Sequence, residues 1–275
     1  MTGVLYIVST PIGNLEDITQ RAARVLKEAD LIACEDTRQT RKLLDHLGIA
    51  KPMVSYHEHN EAARARELTK KLATGARIAL VCDGGTPLVS DPGYRLVKAA
   101  IEAKIPVAPI PGASAALSGL AGSGLATDAF RFCGFLPAKP TQRRKALEAL
   151  REESCTLIFY EAPHRLMESL EDIEAALGER PIVVARELTK VHEEFVRGTP
   201  GSVRAELAGR PSVKGEITIL IGKRQERAKS AADRTAAEEE VRALERQGLA
   251  RIEAVKQVAK ARGIPRRELY RRVIS

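Results

Sequence analysis

The chain has 275 residues, of which 44% are hydrophobic and 4% aromatic, and it carries a net charge of +8. This length predicts one large or two modest domains with an aliphatic core, and no apolar run approaches the roughly 20 residues of a membrane span. The four cysteines are widely spaced without a CxxC pair, which supports neither a zinc site nor a disulfide framework. Because the N-terminus lacks the basic stretch of a secretory signal, we expect a cytoplasmic protein with no metal and no membrane partner.

Five strand–helix units are predicted in the N-terminal part of the chain. Segments with helical spacing of apolar residues separate short apolar runs at residues 5–10, 31–34, 53–56, 77–81 and 107–110. Strands that alternate with helices in this way are typical of a parallel, doubly wound α/β sheet. Each predicted strand ends in a polar or glycine- and proline-rich turn. Since the carboxyl ends of parallel strands meet at one edge of the sheet, we expect the ligand cleft there.

The longest of these turns is CDGGTPLVSDPG, residues 82–93. Gly84 and Gly85 have no side chain that would keep a ligand away from the backbone. Asp83 can accept hydrogen bonds from a ribose or an amine. An ordinary β-to-α turn is the alternative interpretation, but the length of the segment and its two clusters of Asp with Gly or Pro favour a binding loop.

The second half of the chain predicts a mixed sheet, because its connections include both helices and hairpin-length segments. Strand-like runs lie at residues 130–135, 156–160, 182–185 and 216–221. We therefore predict an N-terminal α/β domain (residues 1–115) and a second α/β domain (116–222). A linker (223–240) and a small C-terminal helix-turn-helix-like domain (241–275) follow.

The C-terminal segment holds most of the excess positive charge. Residues 223–275 contain 15 Lys and Arg against 8 Asp and Glu, which gives +7 of the total +8. An apolar helix, a Gly-Ile-Pro turn and a basic helix resemble a helix-turn-helix, although a helical hairpin for dimerisation fits nearly as well. The charge favours an anionic partner, with nucleic acid first, over a merely solvated tail.

Several common nucleotide and hydrolase motifs are missing from the sequence. There is no GxxxxGK[ST] loop for a nucleoside triphosphate, no GxGxxG after the first strand and no GxSxG nucleophile elbow. These absences argue against a P-loop NTPase, a Rossmann dinucleotide enzyme and a serine hydrolase of the α/β type.

A series of longer motifs resembles one known family. The chain is similar to the tetrapyrrole methylase superfamily of S-adenosylmethionine-dependent methyltransferases, and more closely to its ribosomal RNA small subunit methyltransferase I branch. The matching segments, in order, are VSTPIGNLEDIT (8–19), CEDTRQTRKLL (34–44), SYHEHNE (55–61), CDGGTPLVSDPG (82–93), PGASA (111–115), GFLPAKPTQRRKAL (134–147), FYEAPHRL (159–166), ARELTKVHEEFVRG (185–198) and GEITILI (215–221).

The resemblance implies two α/β domains with the methyl donor S-adenosylmethionine in the cleft between them, and a homodimer. It also implies 2′-O-methylation of a cytidine in 16S ribosomal RNA near the decoding centre, with free 16S rRNA or the 30S subunit as partner. The corrinoid and siroheme relatives carry a GPGD-like turn after the first strand. Here that turn is Pro11-Ile12-Gly13-Asn14, which favours the RNA branch.

Matching motifs assign residues to two roles. The expected donor-binding residues are Thr10, Pro11, Asp83, Gly84, Gly85, Thr86, Pro87, Gly112, Ala113 and Ser114, together with Tyr160, Ala185 and Gly215 from the second domain. A ribose hydroxyl is a poor nucleophile, so a general base or a charge-stabilising group would help. The catalytic candidates at strand ends are Glu35, Asp36, Arg38 and Glu187, although positioning alone could suffice.

Exposed basic side chains are expected to bind RNA phosphates. The candidates are Arg38, Arg41, Lys42, Arg143, Arg144, Lys145, His164 and Arg165, with Arg266, Arg267, Arg271 and Arg272 in the tail.

The sequence is also compatible with two rival functions. One is a methyltransferase for a small tetrapyrrole-type molecule, which would not need the basic tail, and the other is a ligand-sensing regulator that binds DNA.

Overall fold

The computed structural model describes residues 3–224, 231–262 and 264–274. The chain divides into two compact units, Met1–Arg224 and Gln225–Ser275. No helix among the described residues has the length and apolar character to cross a membrane.

Five parallel strands form the first sheet: β1 (Val4–Val8), β2 (Leu31–Cys34), β3 (Met53–Ser55), β4 (Arg77–Leu80) and β5 (Val107–Ile110). Their order across the sheet is β3-β2-β4-β1-β5. The helices that connect them are α1 (Gln20–Glu28), α2 (Thr37–His46), α3 (Glu61–Ala73) and α4 (Tyr94–Glu102). The predicted parallel, doubly wound sheet is confirmed.

The strands of this sheet bury both of their faces. Ile7 and Ala33 pack in a core on one face, whereas their neighbours Val8 and Ile32 pack in a second core on the other face. Successive side chains of a strand point to opposite faces, and helices cover both, which is why the strand sequences are short continuous apolar runs.

The second sheet is mixed, as predicted. Its strands are β6 (Phe130–Phe135), β7 (Thr156–Glu161), β8 (Ile182–Arg186), β9 (Glu194–Gly198) and β10 (Ile217–Ile221). They lie in the order β6-β7-β10-β8-β9; β6 and β7 are parallel and the other pairs antiparallel. The accompanying helices are α5 (Ala115–Ser123), α6 (Pro140–Glu148), α7 (Leu166–Leu177) and α8 (Pro200–Ala208).

Two elements of this sheet region were not predicted, β9 and α8. The sequence of β9, EFVRG, has only two large apolar residues, of which Val196 is buried and Phe195 packs at the edge of a core. Helix α8 begins Pro-Gly-Ser, which resembles a loop. Thr199 and Ser202 form a reciprocal capping box there, and this cap stabilises the helix start.

The C-terminal unit contains three helices among its described residues: α9 (Ala231–Arg246), α10 (Arg251–Arg262) and α11 (Arg266–Ile274). Ala237 and Val241 of α9 pack with Val255 and Val258 of α10 and with Leu269 of α11. The linker prediction is therefore wrong for residues 231–240, which belong to a helix, because alanine is a strong helix former even without large apolar neighbours. Residues 225–230 of that prediction lie outside the described residues.

Candidate functional site

A cavity of about 760 Å³ lies at the carboxyl edge of the first sheet, where the turns after β1 and β4 face the ends of β7 and β10. This is the edge at which the sequence predicts a cleft, and the size is within the range of about 300–1,000 Å³ of ligand pockets. Its lining includes predicted donor residues from both halves of the unit: Thr10, Pro11, Asp83, Gly84, Gly85, Thr86, Ser114, Tyr160 and Gly215.

The turn after β1 is tied to the loop after β4 by a short antiparallel bridge. Thr10 and Gly85 exchange two backbone hydrogen bonds. The Thr10 hydroxyl donates to the carbonyl oxygen of Cys82 at 3.1 Å, and the hydroxyls of Ser9 and Thr86 lie 2.9 Å apart. The bridge requires Gly85 at φ +91°, a left-handed conformation that glycine adopts readily. These contacts hold the two glycine-rich turns against each other as one wall of the cavity.

The segment before α5 forms an adjoining part of the site. Ser114 caps α5 by accepting a hydrogen bond from the backbone N–H of Leu117, and the Thr86 hydroxyl donates to the carbonyl oxygen of Ala113 at 3.4 Å. A Cβ atom on Gly112 would lie 2.8 Å from the Cβ of Ser9, so only glycine fits. Gly112 and Ala113 line a second cavity of about 450 Å³, whose lining shares Ser114 with the larger one.

Asp83 and Asp36 meet at the ends of β4 and β2. The Asp83 carboxylate accepts a hydrogen bond of 3.1 Å from the backbone N–H of Asp36. Asp36 caps α2 and pairs with Arg38 at 2.7 Å, and these hydrogen bonds from Arg38 lower the pKa of Asp36 to about 2. An acid this strong remains ionised at neutral pH and is a weak proton acceptor. Asp36 and Arg38 therefore build the start of α2 and do not line the cavity.

Glu35 also lies outside the cavity lining. Burial raises the pKa of its carboxyl, and the negative charges of Asp83 and Asp91 raise it further. The ends of the first sheet therefore carry an acidic group of side chains. Among the residues that the structure describes, no cluster of His, Cys, Asp and Glu has the arrangement of a metal site.

Glu187 positions Lys190 at the opposite wall. Its Oε1 accepts hydrogen bonds from Lys190 Nζ at 2.8 Å and from the backbone N–H of Glu216 at 3.0 Å, and these contacts lower the pKa of the Glu187 carboxyl. Glu187 has φ +53°, and a Cβ atom on Gly215 would lie 2.4 Å from its carboxyl carbon. Glu187 therefore contributes through Lys190, which lines the cavity, and not as a free base.

Lys190 reaches from the second sheet to the first. Its Nζ lies 3.2 Å from Glu216 Oε2, and its stem packs so closely on Gly13 that a Cβ atom there would lie 2.4 Å from Lys190 Cγ. Although burial lowers the pKa of Lys190, the hydrogen bonds with Glu187 and Glu216 raise it above its ordinary value. Lys190 is thus a fixed cation in the cavity wall.

Two predicted donor residues, Ala185 and Pro87, line neither of the two cavities. Ala185 is fully buried in a core between β8 and α5, because its position on β8 points toward that helix. Pro87 is buried in the loop behind the cavity wall. Tyr160, in contrast, lines the cavity and packs edge-on against Phe132 and Phe135 at 5.0 and 5.6 Å between ring centroids.

Arg143 is not a phosphate ligand. Its side chain is 1% exposed and donates to Asp172 at 2.6 Å, beneath α6 and α7. The exposed Arg144 donates to the other oxygen of Asp172, also at 2.6 Å. Arg165 pairs with the buried Glu161 at 2.7 Å. A basic sequence pattern does not distinguish Arg143 and Arg165, which face inward, from their exposed sequence neighbours Arg144 and His164.

Several side chains of the cavity wall were not predicted from the sequence. These are Phe135, Lys190 and the carboxylates Asp91, Glu161 and Glu216. Asp91 lies within the 82–93 loop and Glu161 follows a predicted strand, and these positions could have identified both residues. Glu161 is held by the Ser169 hydroxyl at 2.6 Å, the backbone N–H of Ala162 at 2.8 Å and Arg165, so its oxygens are fully engaged.

Known proteins resemble this chain in sequence and in fold. The family model for Tetrapyrrole (Corrin/Porphyrin) Methylases matches residues 4–204. A protein of Halalkalibacterium halodurans named Ribosomal RNA small subunit methyltransferase I is 49% identical over 271 residues, which are 98% of this chain and 93% of that protein. A Synechocystis sp. protein of the same name is 48% identical over 269 residues, 98% of this chain and 96% of that protein.

A solved structure with the same fold is the uroporphyrin-III C-methyl transferase from Thermus thermophilus complexed with S-adenyl homocysteine. It matches with a TM-score of 0.55 and 21% identity, over 79% of this chain and 97% of that chain. At this level of identity the match shows a common fold.

Proposed function

Because the chain belongs to the Tetrapyrrole (Corrin/Porphyrin) Methylases, we propose that it transfers a methyl group from S-adenosylmethionine to small-subunit ribosomal RNA. The acceptor is the 2′-hydroxyl group of a cytidine in 16S rRNA near the decoding centre. The observation that carries this proposal is the full-length similarity to proteins named Ribosomal RNA small subunit methyltransferase I, together with a cavity at the sheet edge that both halves of the unit line.

The cavity fits the methyl donor in size and in chemistry. Gly84 leaves backbone exposed in its wall, and a Cβ atom there would come within 3.3 Å of the Pro11 carbonyl oxygen. Asp83 supplies a carboxylate for the donor's hydroxyl or ammonium groups, and no cation among the described residues pairs with it. The donor residues are Thr10, Pro11, Asp83, Gly84, Gly85, Thr86 and Ser114, with Tyr160 and Gly215 on the opposite wall.

Catalysis depends mainly on positioning. S-adenosylmethionine supplies an already activated methyl group, so the protein has to bring the hydroxyl oxygen into line and exclude water. The bridge between Thr10 and Gly85 and the contact of Lys190 with Gly13 fix the walls of the cavity before the substrates bind. Neither Asp36 nor Glu187 is a suitable proton acceptor, because hydrogen bonds lower the pKa of each carboxyl.

Exposed cations bind the RNA backbone. Arg38, whose side chain is 87% exposed, and Arg41 and Lys42 lie on α2 beside the cavity. In the C-terminal unit, Arg266 and Arg267 are exposed at the start of α11. The chain acts in the cytoplasm as a homodimer, with free 16S rRNA or the 30S subunit as its partner.

The first experiment measures transfer of labelled methyl from S-adenosylmethionine to purified 30S subunits that lack the modification. We expect alkali-resistant label at one ribose with the wild-type protein, and loss of transfer with Asp83→Ala. The matched control is Asp45→Ala, which removes an exposed carboxylate from α2 away from the cavity lining. If the subunits stay unlabelled while a tetrapyrrole such as uroporphyrinogen accepts the methyl group, the substrate assignment is wrong and the small-molecule function replaces it.

A further inference from the structure

Phe135 is an exposed aromatic ring in the wall of the cavity. Its exposed fraction is 55%, although it lies on β6 of the second sheet. One edge of the ring packs on Tyr160, at 5.6 Å between centroids and an interplanar angle of 65°. The Tyr160 ring in turn packs on Phe132. An exposed aromatic face in a cavity wall is typical of a surface that a ligand covers.

A β-bulge places Phe135 on this wall. Phe132 pairs with Ile158, and regular alternation would then pair Gly134 with Tyr160 and turn Phe135 to the other face. Instead, the register shifts between Phe132 and Phe135, so that Phe135 pairs with Tyr160 and joins Phe132 on the same face. Gly134 supports the bulge with φ +69°. Bulges beside ligand sites often re-aim one side chain in this way.

The carboxylate of Asp91 lies in the same corner of the cavity. A Cβ atom on Gly134 would lie 3.5 Å from the hydroxyl oxygen of Ser90, so the bulge approaches the residue before Asp91. Burial raises the pKa of the Tyr160 hydroxyl, and the charge of Asp91 raises it further, which also places the two side chains near each other. Among the described residues, no Lys, Arg or His forms an ion pair with Asp91, in contrast to Glu161 and Glu216.

An aromatic face beside a carboxylate that has no ion-pair partner is suited to a nucleobase. Proteins that read single-stranded RNA stack the base on an aromatic ring and hydrogen-bond its edge. A carboxylate accepts a hydrogen bond from the exocyclic amine of cytosine, whereas the oxygen of uracil at that position would be repelled. A base that enters a cavity must first leave its stack.

We propose that Phe135 and Asp91 form the subsite for the target base, with the Phe135 ring stacked on the base and the Asp91 carboxylate accepting a hydrogen bond from its exocyclic amine. This inference rests on the proposed RNA methyltransferase function. It assigns recognition of cytosine to these two residues, and donor binding to the turns after β1 and β4.

The first test replaces the ring. Phe135→Ala should raise the KM for 30S subunits lacking the modification roughly 5- to 100-fold, the range for losing one stacked base. The Kd for S-adenosylhomocysteine should not change. The matched control is Phe130→Ala, at the other end of β6, because Phe130 is 45% exposed and does not line the cavity. An equal rise of KM in both variants, or weaker S-adenosylhomocysteine binding by Phe135→Ala, would overturn the assignment.

The second test changes the edge of the base and the carboxylate together. Wild-type protein is compared with Asp91→Asn on 30S subunits that carry either cytidine or uridine at the methylated position. An amide can donate to uracil, so the preference for cytidine should shrink roughly tenfold or more in Asp91→Asn. Melting temperature and S-adenosylhomocysteine affinity report whether the variant folds. An unchanged preference in a folded variant contradicts the inference, whereas no methylation by the wild-type protein contradicts the proposed function itself.

Discussion

Thr10 and Gly85 exchange two backbone hydrogen bonds, of 2.9 and 3.0 Å, between the turn after β1 and the loop after β4. The pairing joins two segments that are 75 residues apart in the sequence and places both in the cavity wall. Because Gly85 has φ +91° there, the pairing depends on a backbone conformation that other L-residues rarely adopt.

Gly85→Ala is expected to weaken donor binding. A Cβ atom at this position would lie 3.5 Å from Ile12 Cγ2, an ordinary contact, so the cost comes from the left-handed φ. That strain is about 1–2 kcal/mol. Because a change of φ would relieve it, we expect the loop after β4 to move away from Thr10. We expect the Kd for S-adenosylhomocysteine, measured by calorimetry, to rise roughly tenfold.

Gly48→Ala is the matched control for this prediction. Gly48 follows α2 with φ +65°, and a Cβ atom there meets nothing within 4 Å. The variant should lose similar stability without a change in donor affinity. Equal weakening of donor binding in both variants would show that general destabilisation, and not the bridge, is responsible.

Asp172→Ala is expected to destabilise the second sheet region strongly. It leaves the guanidinium of Arg143, 1% exposed, with the exposed Glu168 at 3.3 Å as a remaining partner. Removing one partner of a buried ion pair costs about 3–5 kcal/mol. Urea unfolding should show this loss, whereas Arg144→Ala, at a 61% exposed side chain, should cost less than about 1 kcal/mol. Similar losses in the two variants would contradict the role of the buried pair.

The same ion pair predicts a pH dependence of stability. Burial raises the pKa of Asp172, but hydrogen bonds from Arg144 and Arg143 lower it below the ordinary value of 3.8. A carboxyl whose pKa falls on folding stabilises the protein above its unfolded pKa, and this contribution disappears as pH falls through the folded pKa. The difference in unfolding free energy between wild type and Asp172→Asn should therefore be constant above about pH 5 and shrink below pH 3.8. A constant difference down to acid pH would exclude this linkage.

Lys190→Met is expected to loosen the contact between the two walls of the cavity. Methionine keeps an apolar stem against Gly13, but it leaves the carboxylates of Glu187 and Glu216 without the ammonium at 2.8 and 3.2 Å. Charged hydrogen bonds of this kind contribute about 1.5–3 kcal/mol. Donor affinity should fall roughly tenfold, as measured by calorimetry, and Lys190→Arg should recover part of it. Full affinity in Lys190→Met would show that the contact with Gly13 alone fixes the wall.

The exposed arginines of α11 are expected to bind RNA phosphates. Replacing Arg266 and Arg267 by alanine should weaken RNA binding and reduce the slope of log K against log salt by roughly 1.5 to 2. The control is Lys70→Ala with Lys71→Ala, which removes the same charge from the exposed end of α3. That helix end precedes β4, at the sheet edge opposite the cavity. Equal salt slopes for both double variants would show that the tail arginines contribute only to the overall positive charge and do not contact RNA phosphates.

Local sequence patterns were sufficient to predict the class of the first sheet and the location of its cleft. Continuous apolar runs such as Ile32 to Cys34 required burial on both faces, and this excludes a half-exposed antiparallel sheet. The turns at strand ends then had to meet at one edge, which placed Thr10 and Gly85 in one site. These inferences succeed because they depend on local periodicity and on glycine, whose effects act over a few residues.

Which side chains of those motifs reach the cavity depends on long-range packing. Arg143 and Arg144 are adjacent in a basic segment, yet Arg143 is buried on Asp172 while Arg144 is exposed. Phe135 lines the cavity because a single extra residue in β6 shifts the register with β7, a change that no alternation pattern in β6 reveals. Side-chain direction is set by which strand or helix packs alongside, and those partners lie far away in the sequence.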